Sequence, residues 1–347
     1  MAAIRPKGNA VRSAAILFIG LLSLPACSSA PAPGRLVDVG GHKLHIACSG
    51  SRQAGRPTVV IDSGAGVTSP AYHWLQEGVS DTTRICSYDR AGIGWSETSD
   101  QSHDAVSAAD QLHMLLERSG EHGPYIIAAH SIAGLYAHVF AARHPDSIAG
   151  LVLIDPSHPK QQAAFNTRLS PDQEDRADRM TRYLGFLAGT GLTRFYHPLF
   201  NMKMVASLPT DVKRQIEGLS HRADSYRSTY QEARAFDQSA REAIAAGPLG
   251  SIPLMVISAQ SIATDGDPMS QQMAKFDAIK IGLHTDLLNL STQSKHIVVA
   301  GAGHITLVLE KSHAAKVVAA IESLVLASRS GGWPDDRATT SGRDRAG

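Results

Sequence analysis

Two short runs in which apolar and polar positions alternate flank Gly40-Gly41 in RLVDVGGHKLHIACSG (residues 35–50). That pattern predicts a β-hairpin, with glycine supplying both positive-φ positions of the turn. PTVVIDSG (57–64) and TRICSYD (83–89) read as further strands, and DAVSAADQLHMLLERSG (104–120) has helical spacing closed by a glycine. PYIIAAH (124–130) is a continuous apolar run, after which Leu135, His138 and Val139 fall at helical spacing, ending near His144-Pro145. IAGLVLID (148–155) reads as another buried strand. Strand and helix therefore alternate from 57 to 155, which predicts a parallel sheet covered on both faces.

That rhythm breaks after residue 155. Residues 156–248 are polar and helical, with charge-rich runs such as SPDQEDRADRMTRY and HRADSYRSTYQEARAF, and read as an inserted helical lid. SIPLMVIS (251–258) resumes the sheet, a helix covers roughly 270–290, KHIVVAGAG (295–303) is the last strand, and SHAAKVVAAIESLVLAS (312–328) the closing helix. The expected division is a core of 35–155 and 249–328, a lid at 156–248, and a tail at 329–347 whose composition predicts disorder.

Composition narrows the function. With 347 residues, 43% apolar content and 33 basic against 32 acidic side chains, the chain can bury a large core and offers no basic surface for nucleic acid. Arg5, Lys7 and Arg12 precede an apolar stretch at 14–26 that is short for a membrane span, the layout of an export signal. Leu24-Pro25-Ala26-Cys27 resembles a bacterial lipobox, with Pro25 a departure from the small residue usual there. Cleavage before Cys27, lipidation of that cysteine and a flexible tether over 28–34 are expected, placing the protein in the cell envelope or secreted beyond it. Of three cysteines, Cys48 and Cys86 then remain, an even number in an oxidising compartment.

The chemistry centres on Ala129-His130-Ser131-Ile132-Ala133, where a polar pair sits between strand and helix. A serine exposed on such a turn, with small residues two before and two after it, fits a nucleophile elbow; an ordinary helix N-cap is the plainer alternative. A serine hydroxyl needs a base, a group that orients the base, and donors for the oxyanion. DSGAG (62–66) ends one strand with glycines that allow close main-chain approach, YDRAGIGWS (88–96) is a Gly-rich loop after its neighbour, and GAGHITLVLEKS (301–312) sets His304 just beyond the final strand. His130 is expected to pack beneath the turn. HKLH (42–45) reads as exposed strand surface. No HExxH or Cys/His cluster suggests a metal, and no cofactor is expected.

In this order and spacing these segments resemble the α/β-hydrolase superfamily, with its mostly parallel eight-stranded sheet and an inserted lid. They are most similar to a bacterial exported esterase/lipase-like subgroup with YDRAGxGWS, AHS at the elbow, DPSH after strand six and GxGH near the end. The resemblance covers about residues 35–328. It implies Ser131 as nucleophile, His304 as base, and the N–H groups of Ala65 and Ile132 as the oxyanion hole. For the acid it leaves alternatives: Asp155, at the end of strand six, is preferred to Asp265 or Asp267, because the usual position after strand seven falls on Ile262. Strands two and four are neighbours in this fold, which implies a Cys48–Cys86 disulfide. The implied activity is carboxylic ester hydrolysis, with lactone opening, acyl transfer or carbon–carbon hydrolysis on the same residues as alternatives, and a non-catalytic lipid-anchored binding protein as another. Phe165, Tyr183, Phe186, Phe195, Tyr196 and Phe200 are candidates to line an acyl pocket, the alternative being helix packing.

Overall fold

The computed structural model describes residues 32–167, 170–190, 203–262 and 267–329. Cys27 and the rest of the expected signal, Asp265, Phe195, Tyr196, Phe200 and the tail from 330 lie outside them. Eight strands form one sheet: β1 (Arg35–Asp38), β2 (Lys43–Ser49), β3 (Thr58–Asp62), β4 (Ile85–Asp89), β5 (Tyr125–His130), β6 (Ile148–Ile154), β7 (Leu254–Gln260) and β8 (Ser294–Ala300). Their order is β1-β2-β4-β3-β5-β6-β7-β8. β2 pairs antiparallel with β1 and with β4, and every other pairing is parallel. The hairpin forms as its glycines predict, with Gly40 at φ 100° and Gly41 at φ 104°.

β3, β4 and β5 are wholly buried, as expected of apolar runs in a sheet covered on both faces. On one face pack α2 (Ala105–Arg118), α3 (Ala133–Arg143) and α8 (Phe236–Ala246), sharing a core with Leu112, Leu116, Leu135, Phe140, Phe236 and Ala240. α1 (His73–Ser80) and α11 (Lys311–Arg329) cover the other face around Leu75, Val79, Val317, Ile321 and Leu324. Asp104 caps α2 by accepting from the Ser107 N–H.

Between β6 and β7 the described residues are helical: α4 (Gln161–Phe165), α5 (Pro171–Gly189), a 3₁₀ turn at Lys203–Val205, α6 (Thr210–Ser220), α7 (Ala223–Arg234) and then α8. α8 packs on α2 and α3, so the inserted stretch ends as a helix of the main core. α9 (Pro268–Leu287) and the short α10 (Thr306–Leu309) complete the chain. Among the described residues no helix is long and apolar enough to cross a membrane.

HKLH is not the exposed surface its alternation suggests: His42 and His45 are both buried. Strand neighbours fill only the edges of β2; its faces are covered by other side chains, the Trp95 ring lying 4.7 Å from that of His45. His45 sits 3.0 Å from Asp89, and His42 meets the Gln111 side chain at 3.2 Å. Cys48 and Cys86, directly opposite in the β2–β4 register, form a disulfide.

Candidate active site

The chain direction across the sheet changes at β3: β4 lies on one side of it and β5 on the other. Crevices outside the carboxyl ends of strands open at such a switch point. Ser63–Gly66 leave β3 there, and Ser131 follows β5 directly. Ser131 is half-buried with φ 59°, a left-handed backbone held by its N–H to the Ile154 carbonyl (3.1 Å) and by its own carbonyl accepting from Ser157 (2.8 Å). A non-glycine residue pays roughly 1–2 kcal/mol for this conformation, and the ladder between β5 and β6 supplies the constraint.

Asp155 occupies the equivalent point one strand over, also at positive φ (42°), with its N–H donating to Ile257 on β7 at 2.7 Å. Its carboxylate is buried and fully engaged. Oδ1 accepts from the Ala259 N–H (2.8 Å); Oδ2 accepts from His304 Nδ1 (2.7 Å) and from the Lys280 ammonium (3.1 Å). Burial alone would raise its pKa, but the His304 hydrogen bond and the Lys280 charge prevail and hold it well below the usual carboxylate range. An ionised carboxylate only accepts, so His304 carries its proton on Nδ1 and leaves Nε2 with a free lone pair.

Asp155, not Asp267, is therefore the carboxylate on His304; Asp267 lies exposed just before α9. The Ser131 hydroxyl has no hydrogen-bond partner among the described residues, so the contact between Ser131 and His304 is not made in this structure.

The segment after β3 lies against Ser131, a Cβ on Gly64 falling 3.3 Å from the Ser131 Cβ. Between Gly64 and Val67, three N–H groups are committed: Gly64 to the Tyr72 hydroxyl (2.8 Å), Gly66 to Glu232 (3.3 Å) and Val67 to the Gly64 carbonyl (3.1 Å). The N–H of Ala65 has no partner among the described residues, and neither does that of Ile132. These are the two donors that the family resemblance implies for an oxyanion.

Arg90 fixes that segment. Its guanidinium donates to Asp62 (2.8 Å), to Glu232 (2.6 Å), to the Gly64 carbonyl (3.0 Å) and to the Ser63 carbonyl. YDRAGIGWS is thus scaffolding: Tyr88 donates to Asp62, and Asp89 accepts from the main chain of Ser69 and Trp95. Burial is offset at Arg90 by Glu232 and Asp62, which raise its pKa further.

An apolar cavity of about 760 Å³ opens beside Ala65, walled by Val67, Ala71, Val205, Ile216, Leu219 and Ile305. Ser131 and His304 are not on its wall, but Ala65 follows Gly64, against which Ser131 packs, and Ile305 follows His304. The three aromatic candidates for an acyl pocket among the described residues are elsewhere. Phe165 stacks on Phe276 at 4.1 Å, while Tyr183 and Phe186 point outward from α5, 58% and 66% exposed. The one His/Cys/Asp/Glu grouping of metal-site geometry among the described residues is the disulfide itself beside Glu121.

Lys280, Tyr72 and Glu232 escape the sequence reading, because they meet Asp155, His130 and Arg90 across 125, 58 and 142 residues of chain. No local pattern marks them.

Comparison with known proteins agrees with this architecture. The family model described as alpha/beta hydrolase fold matches residues 57–311. YbdG of Bacillus subtilis (strain 168) is 32% identical over 188 residues, 53% of this chain and 55% of that protein. The chain spans about half or less of the length of the first curated relatives it matches. Among solved structures, the enol-lactonase of Burkholderia xenovorans LB400 aligns with TM-score 0.58 and 17% identity, covering 84% of this chain and all of that one. A thermophilic esterase of Thermogutta terrifontis aligns with TM-score 0.56 and 18% identity, covering 86% and 100%. At such identities the likeness is one of fold.

Proposed function

The chain belongs to the alpha/beta hydrolase fold family, and from that premise we propose that it is a serine hydrolase cleaving carboxylic esters through an acyl-enzyme on Ser131. The observation that carries the reading is the set of groups on the segments after β3, β5, β6 and β8: a positive-φ serine, a histidine hydrogen-bonded through Nδ1 to a buried ionised aspartate, and two uncommitted N–H groups. His304 Nε2 takes the Ser131 proton as Oγ attacks the ester carbonyl. The oxyanion lies between the N–H groups of Ala65 and Ile132, and Asp155 stabilises the imidazolium. The alcohol leaves with the proton from His304, and a water, activated in the same way, releases the acid.

Closing the gap between Ser131 and His304 is a step that substrate binding completes, since such hydrogen bonds are often long in unliganded enzymes. The apolar cavity favours esters with an apolar acyl or alkyl group. Hydrolysis of p-nitrophenyl acetate, butyrate and octanoate tests both parts. Wild type should prefer the longer chains, and Ser131→Ala should lose at least about 10³-fold in kcat. Equal rates across the series contradict the cavity's role; an active Ser131→Ala contradicts the mechanism.

The envelope location belongs to the same proposal. The Cys48–Cys86 disulfide favours an oxidising compartment, and lipidation at Cys27 predicts that Cys27→Ser moves the protein from the membrane fraction to the soluble one.

A further inference from the structure

His130 stands next to the nucleophile but faces away from solvent, and its partners identify its work. The ring is completely buried, with Nε2 3.2 Å from the His304 carbonyl and Nδ1 2.9 Å from the Tyr72 hydroxyl. Tyr72, equally buried, also lies 2.8 Å from the Gly64 N–H.

The direction of every bond in this chain is determined. A carbonyl only accepts, so Nε2 of His130 carries the hydrogen. In a neutral imidazole Nδ1 is then an acceptor and takes the Tyr72 O–H, which leaves the phenol oxygen a lone pair for Gly64. Burial keeps the ring neutral, pushing the His130 pKa down to about 3. A cation there would also oppose the His304 ring, whose centroid is 4.6 Å away.

We infer that Tyr72 and His130 are positioning residues: a buried brace, Gly64 N–H to Tyr72 to His130 to the His304 carbonyl, that fixes the oxyanion segment, the nucleophile turn and the histidine loop relative to one another. This rests on the proposed serine mechanism. The brace touches the sequence neighbours of all three working groups: Gly64 precedes Ala65, His130 precedes Ser131, and His304 is held by its backbone here and by its ring on Asp155. Space is as constrained as bonding, because a Cβ on Gly64 would lie 3.1 Å from His130 Nδ1 and 3.3 Å from the Ser131 Cβ. A shift of any one loop is thereby passed to the others.

The test compares Tyr72→Phe, His130→Gln and the double variant with wild type. Active sites are titrated by a fluorophosphonate, and folding is checked by thermal melting. Tyr72→Phe deletes a single oxygen. It should lower kcat about 10- to 100-fold with KM within twofold, and weaken a trifluoromethyl ketone, which forms a hemiketal oxyanion, by a similar factor. The double variant should be little worse than the worse single one, since either change breaks the same chain. Amide hydrogen exchange should rise at both 62–67 and 302–307 in either single variant, a readout independent of turnover. Additive losses, exchange confined to the loop each residue touches, or unchanged kcat in folded variants would overturn the brace. A wild type that neither labels nor turns over would overturn the serine mechanism, and the exchange data would still decide whether the loops are coupled.

Discussion

Asp155 is where the site's charges meet, and its surroundings separate two roles of one carboxylate. Oδ1 is spent on the Ala259 N–H, which orients the group against β7; Oδ2 serves His304 and Lys280 together. Asp155→Asn keeps the shape but removes the charge and invites the wrong imidazole tautomer. Steady-state kinetics should show kcat down roughly 10⁴-fold with KM little changed; a loss under tenfold would assign the acid elsewhere. At this scale the sequence is partly legible. Ser131 and Asp155 are visible because each directly follows a strand, where an apolar run stops at a polar residue, and His304 because it stands alone just beyond the last strand. Lys280 is invisible: it reaches Asp155 from 125 residues away, as one charged position on a long helix.

Helix α7 is the element that ties the inserted stretch to the site. Its Ser228 fills the space a Cβ on Gly92 would need, coming within 2.0 Å, and Thr229 does the same at Gly66, within 2.5 Å. Glu232, one turn on, is buried against Arg90 and the Gly66 N–H. Strands and helices of the core follow from periodicity, but this docking does not. HRADSYRSTYQEARAF reads as a charge-rich polar helix, and only the fold reveals that its one glutamate is buried. Glu232→Ala should remove one of the two buried carboxylates on Arg90, leaving Asp62, and cost roughly 1.5–3 kcal/mol of stability, seen as a lower denaturant midpoint. A shift under 1 kcal/mol would mean that α7 contributes little to holding the oxyanion segment. HKLH shows the converse error: alternation marks a half-exposed strand only where one face is open, and here Trp95 lies against His45 and Gln111 of α2 meets His42.

Across the whole molecule, buried neutral histidines make stability depend on pH. Burial pushes His130 down to about 3 and His284 to about 4. Once unfolded, each takes up a proton near pH 6.5, so between that value and its folded pKa the unfolded state binds more protons. Their contribution is complete above pH 6.5 and is lost as pH falls. Asp155 is shifted in the same direction, downward, and its contribution stays constant until pH falls into the carboxylate range. Unfolding free energy measured by urea titration should therefore drop by about 4 kcal/mol from pH 7 to pH 5; a flat profile would mean these rings are not buried neutral. The central claim, however, concerns one oxygen atom. Incubating the protein with a fluorophosphonate and mapping the adduct by peptide mass spectrometry tests it most directly. A Ser131 nucleophile requires one equivalent per chain, on Ser131, with ester hydrolysis lost in step and no labelling of Ser131→Ala. An adduct on another residue, or an intact Ser131 in fully inhibited protein, would contradict it.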